Sequence, residues 1–227
     1  MGLKVDTIQN PSSGTVNLTL DVSGNVAVGT NQTVAGTLAV TGTTTLTGAV
    51  ASGAITSTGL VTGATGALYP IINGTAVAST SGTSITFSSI PSWVKRVTVN
   101  ISGVSMSGTS NLRFRIGPVA GVETSGYLGT SVGFGATTLA SVQFTAGFDV
   151  NDGGTAASVR NGSFVFSLLD AATNTWSMSG TQGQSNTNNA SFIGGSKPLA
   201  GVLSVLSMTT TNGTDTFDAG SINIQYE

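Results

Sequence analysis

Apolar residues recur every six positions between residues 22 and 51, which divide into VSGNVA, VGTNQT, VAGTLA, VTGTTT and LTGAVA. Val22, Val28, Val34, Val40 and Leu46 open the units, and Val26, Leu38 and Val50 hold the fifth place of every other one. Six is even and a β-strand alternates faces with a period of two, so these side chains share one face; no helix keeps them together. The predicted buried stripe is Val22, Val28, Val34, Leu38, Val40 and Leu46. Ser52, Gly53 and Ala54 then intervene before Ile55 and Val61 resume the spacing, and an odd insertion flips the buried face.

A repeat with one or two apolar side chains per unit cannot close a core by itself. A single-chain β-helix is one solution, but at roughly three hexads per turn these units make fewer than two turns. A shaft in which three chains wind together, each supplying one wall of a shared core, suits the pattern better. A flexible Gly/Thr-rich linker would not hold apolar residues in phase over this length.

The pattern changes at Ser84 to short alternating runs separated by turn residues. Ile85 and Phe87 form one run, and Val97, Val99 and Ile101 another. Leu112, Phe114 and Ile116 oppose Arg113 and Arg115. Further runs cover 139–150, 163–169, 175–179, 202–208 and 221–226. About seven or eight strands without helical periodicity predict a jelly-roll-like β-sandwich. Breaks at Tyr69-Pro70, Asn73-Gly74 and 79–82 separate it from the repeat. The expected chain is all-β throughout: an attachment segment at 1–15, a repetitive trimeric β-shaft at 16–66, a junction at 67–82 and a β-sandwich head at 83–227.

Charge is scarce, at 7% of residues, where soluble domains average about a quarter. Residues 22 to 94 carry none, which suits chains buried against one another. A net charge of −2, with Lys95-Arg96 as the largest basic cluster, gives no footprint for a nucleic-acid backbone. The chain has no Cys for disulfide or thiolate chemistry and no His to serve as base or metal ligand. We expect no cofactor and no metal. MGLKVDTIQN lacks the apolar core of a signal peptide, and no run of 18 apolar residues spans a membrane. Export by host-cell lysis, after synthesis in the host cytoplasm, fits this combination.

Candidate chemistry is thin. Glycoside hydrolysis needs two carboxylates roughly 5 to 9.5 Å apart. The close pairs in the head, Asp149 with Asp152 and Asp215 with Asp218, sit beside turns where Asp caps backbone, so no catalytic residue is assigned. DVNDGG places Gly153 where a calcium loop needs a side-chain ligand, and VGFGATT around Gly133 and Gly135 reads as a tight connection. Trp93 beside Pro91 suits packing at the base of the head. Arg113 and Arg115 on one strand face call for acidic partners, which other chains of a trimer could supply. Residues 174–196, NTWSMSGTQGQSNTNNASFIGGS, read as a long polar loop, and aromatic faces combined with amides recognise sugars. Trp176, Tyr127, Gln182, Gln184 and Asn186 are the candidate contacts to a host-surface glycan.

The opening MGLKVDTIQNPSSGTVNLTLDVSGN, the VAGTLAVTGTTTLTG repeat, and the stretches ITFSSIPSWVKRVTVNISGVSMSGTSNLRFRIG and DTFDAGSINIQYE resemble bacteriophage fibre proteins. The likeness is to fibres of marine and cyanobacterial phages in particular. It implies a homotrimeric virion protein, anchored to another virion protein through its N-terminus and carrying a β-rich head that meets carbohydrate or protein on the host surface. A capsid head fibre or decoration protein without a receptor is the alternative, and a polysaccharide-degrading spike a weaker one. Receptor sites vary among such heads, so the resemblance assigns no binding residue.

Overall fold

The computed structural model describes residues 70–227 except Ala136 and Thr138, together with the backbone of five short strands before them. The chain divides into two compact units, Met1–Thr56 and Ser57–Glu227. In the first, β1 (Thr7–Gln9), β2 (Val16–Leu20) and β3 (Val26–Ala27) form an antiparallel sheet in chain order. The six residues of the predicted shaft core lie outside the described residues. The second unit begins with a two-stranded pair, β4 (Val61–Gly63) and β5 (Gly66–Leu68).

Thirteen further strands follow, and no helix occurs among the described residues. They are β6 (Ile72–Asn73), β7 (Val77–Ala78), β8 (Ser84–Phe87), β9 (Arg96–Met106), β10 (Leu112–Gly117), β11 (Leu128–Phe134) and β12 (Leu139–Phe144), then β13 (Phe148–Val150), β14 (Arg160–Asp170), β15 (Thr175–Gln184), β16 (Ala190–Pro198), β17 (Val205–Thr210) and β18 (Phe217–Tyr226). A smaller sheet has the order β13-β10-β17-β8. The larger runs β12-β11-β16-β15-β14-β9-β18-β6, with β7 also on β18. All pairings are antiparallel. Residues 67–82, expected as a junction, thus contribute β6 and β7 to the edge of the large sheet.

Alternation builds the core. Leu112, Phe114 and Ile116 of the small sheet meet Val97, Val99, Phe164 and Phe166 of the large one in a single buried cluster. Phe114 packs on Phe164 with ring centroids 4.6 Å apart, and Phe148 joins Phe166 edge to face at 5.7 Å. Trp93 packs partly buried against this cluster and lies 5.9 Å from Tyr226. At the β9/β18 bulge, Gly220 has φ of 96° and a Cβ there would stand 2.4 Å from the Gly103 carbonyl carbon, so only glycine lets the two strands approach.

Most charged residues of the head find partners within the chain. Arg113 forms a two-pronged pair with Asp149, at 2.5 and 2.8 Å, and Arg115 donates to the Ala146 carbonyl at 2.9 Å. The acidic partner expected from a neighbouring chain is therefore Asp149 of the same chain. Arg96 pairs with Glu227. Lys197, buried on β16, pairs with Glu123 and stands over the Tyr127 ring at 5.6 Å. Burial raises the Glu123 pKa, but bonds from Lys197 and the Ala200 amide outweigh it and hold the carboxyl below its ordinary value. A depressed carboxyl stabilises the fold above its unfolded pKa, and that contribution is lost as pH falls through the folded value. Glu123→Gln should therefore flatten part of the acid limb of thermal stability below about pH 4.5. Melting curves of both proteins from pH 7 to 3 measure it, and parallel curves would show the pair to be inert.

Candidate functional site

Strand parity decides which of the predicted glycan contacts can meet a ligand. On β15, TWSMSGTQGQ, the even positions Trp176, Met178, Gln182 and Gln184 are buried and the odd ones turn outward. Trp176 is 2% exposed and part of the core cluster, so it offers no ring face to a sugar. Tyr127 is fully buried at 0%. Its hydroxyl accepts from the Ile116 amide at 3.0 Å and lies 2.9 Å from the Glu123 carbonyl, while burial pushes its pKa up to about 12. Both aromatics are thus corrected from ligand contacts to core residues.

The two glutamines are likewise structural. Gln182 donates to the Asp152 carboxylate at 2.9 Å and Gln184 to the Asp152 carbonyl at 3.0 Å. Asp152 also pairs with the fully buried Arg160 and caps the Gly154 amide at 2.8 Å. With Asp149 held by Arg113, both carboxylates of the Asp149/Asp152 pair are bound to arginines, while Asp215 accepts from Asn212 and the Ser110 amide and Asp218 from Ser105. Asn186 is exposed, but its side chain bridges Val159 N, at 2.9 Å, and the Ala157 carbonyl, at 2.6 Å, and so pins one loop to another.

The surface suited to a ligand is the outer face of the large sheet, formed by the odd positions of β15 and their cross-strand partners. One row across six strands reads Val132, Phe192, Thr181, Ser163, Asn100 and Asn223. The next reads Thr130, Gly194, Ser179, Val165, Thr98 and Gln225. Both rows are uncharged and rich in hydroxyls and amides. At the β11/β16 corner Phe134, 42% exposed, meets Phe192, 52% exposed, edge to face at 5.4 Å, with Leu139 opposite Phe134.

Two hollows lie near this corner, on opposite sides of the sheet. An open trough of about 410 Å³ lies on the Phe192 side, over Ser163, Val165, Ser179 and Thr181. A smaller hollow of about 60 Å³ lies on the inner side of the β11/β12 hairpin, where Gly133 and its register partner Ala140 meet Asn151, Gly153 and Asn189. The smaller one sits at the end of the sandwich opposite Tyr226, beside which Ile72 comes in. Ser177 and Ser179 lie in the run expected at 175–179, but Thr181, Phe134 and Phe192 lie in segments that read as loop and connection. No protein-family model, no curated protein and no solved structure matches this chain.

Proposed function

We propose that this chain is a phage virion fibre protein, a homotrimer whose repeat forms the shaft and whose second unit is an adhesive head binding host-surface carbohydrate. The observation that carries the binding role is the exposed Phe134–Phe192 pair beside an open trough on an uncharged face of hydroxyl and amide side chains. Sugars present apolar C–H faces and rings of hydroxyls, and such a surface answers both without charge. A trough of this size falls within the range of small-ligand sites. Three copies on one shaft would multiply weak contacts by avidity. The head reads as jelly-roll-like because most consecutive strands change sheets, as β8 to β9 to β10 and β16 to β17 to β18 do. The amide and hydroxyl rows, rather than catalytic groups, make binding without cleavage the function of choice.

Native mass measurement of the purified full chain should give a trimer. Its adsorption to host cells should fall about tenfold in Phe192→Ala, with mass and melting temperature unchanged. A monomer at micromolar concentration overturns the shaft. If Phe192→Ala instead lowers the mass, the face is an interface between copies, and a capsid head fibre or decoration protein without a receptor becomes the better reading.

A further inference from the structure

Two glycines on the outer face of the large sheet are not accounted for by packing. A glycine inside a strand weakens it, and its usual reasons are a bulge, a close approach of another backbone, or a ligand that comes down to the main chain. Gly162 and Gly195 have the second reason: a Cβ would collide with the Thr181 carbonyl oxygen at the first and with the Leu128 carbonyl oxygen at the second. Gly183 on β15 and Gly194 on β16 have neither of the first two. Both lack a positive φ, and a Cβ at either would meet nothing within 4 Å. Gly194 is exposed, follows Phe192 on the same face, and is in register with Thr130 on one side and Ser179 on the other. Its missing side chain leaves clear the ground beside the trough that Phe192, Ile193 and Ser179 line.

The trough crosses β16, β15 and β14, so at about 4.8 Å between strands it runs roughly 10 Å, the length of about two sugar rings. The hydroxyls of Ser163, Ser179 and Thr181 along it have no partner among the described residues. Each can donate and accept, as a sugar hydroxyl can, while Val165 and the Phe192 ring supply apolar surface. Neither row over the trough carries a charged side chain. Arg96, on the same face one row further along β9 and opposite Ser167, pairs with Glu227. A sugar carboxylate would give up water there and gain no free cation.

We propose that this trough takes a neutral hexose chain lying flat across the strands, and that Gly194 is the position that admits it. The inference rests on the carbohydrate-binding reading of the same face and adds the class of sugar and the residue that sets access. A ring set against Phe192 comes down to the level of the main chain at Gly194, where a side chain would lift it off the hydroxyls of Ser179 and Thr181.

The test titrates the full chain with cellotetraose and β-mannotetraose and with their uronic counterparts, which keep the linkage and carry a carboxylate in place of the hydroxymethyl group. A neutral tetramer should bind at least about tenfold tighter than its acidic counterpart. Gly194→Val should weaken that binding at least about tenfold, and Gly194→Ala by less. Both variants should melt no lower than the native chain, because the added carbons have room. Acidic tetramers that bind as tightly as neutral ones, neutral binding that survives Gly194→Val, or a lower melting temperature in that variant overturns the inference and leaves the carbohydrate face standing. If no tetramer binds but Phe192→Ala still lowers adsorption to host cells, the neutral-hexose assignment fails alone. If adsorption is also unchanged, the carbohydrate reading fails with it.

Discussion

Asp152→Ala should lower the stability of the second unit by about 3–5 kcal/mol, the cost of stranding a buried charge. Arg160 is fully buried, and its guanidinium pairs with Asp152 and donates to the Ser158 carbonyl at 3.1 Å. Its Nη2 already has no partner in the protein, so nothing nearby replaces the lost carboxylate. Gln182 Nε2 loses its acceptor in the same step. Removing both charges, as Asp152→Ala with Arg160→Met, should recover most of the loss, because an apolar replacement for a whole buried pair is often neutral. Urea denaturation followed by tryptophan fluorescence measures the difference. The chain has two tryptophans, Trp93 and Trp176, and both lie in this unit. An unchanged midpoint in the single variant would mean that solvent reaches Arg160 and the pair contributes nothing.

Trp176→Ala should cost a similar 3–5 kcal/mol, roughly, as a large-to-small change in a packed core. The side chain borders a hollow of about 80 Å³ lined by Val94, Leu168 and Leu203, and truncation would enlarge it. Strands on either side of β15 fix the walls, so collapse cannot refill the space. The indole N–H has no acceptor in the protein, so Trp176→Phe gives up no hydrogen bond and should be much milder. The same pair of variants tests the corrected role of this residue. Trp176→Phe should adsorb to cells like the native chain, because the ring never meets the ligand. A loss of binding in Trp176→Phe at unchanged stability would restore Trp176 as a contact.

The all-β character of the described residues is visible in spacing and composition, whereas the break expected between 67 and 82 in fact supplies β6 and β7 to the large sheet. The runs at β8, β9, β10, β14 and β18 are legible for the same reason: one face is buried, so Val97, Val99 and Ile101 alternate with polar neighbours. Two strands escape that logic. β11, LGTSVGF, and β16, ASFIGGSKP, put their largest apolar residues on the outer face and fill the inner one with Gly, Ser, Lys197 and a single large apolar residue, Ile193. Read alone they look like loops, and their neighbours in the sheet make them strands.

On β15 the sequence contained half of the answer. Trp176, Met178, Gln182 and Gln184 share one parity, and a buried tryptophan fixes that parity as inward. The amides looked like surface groups because nothing local reveals that Asp152 waits inside to receive them. Alternation is a local property, set by the geometry of the pleat, and so the sequence by itself determined which residues share a face. Which face points to the core, and which acid meets which base, depends on contacts such as Asp152 with Gln182 and Glu123 with Lys197, made between segments far apart in the chain. Only the closing of the two sheets brings those groups within bonding distance, because the desolvation that forces them to pair does not exist until the core has formed.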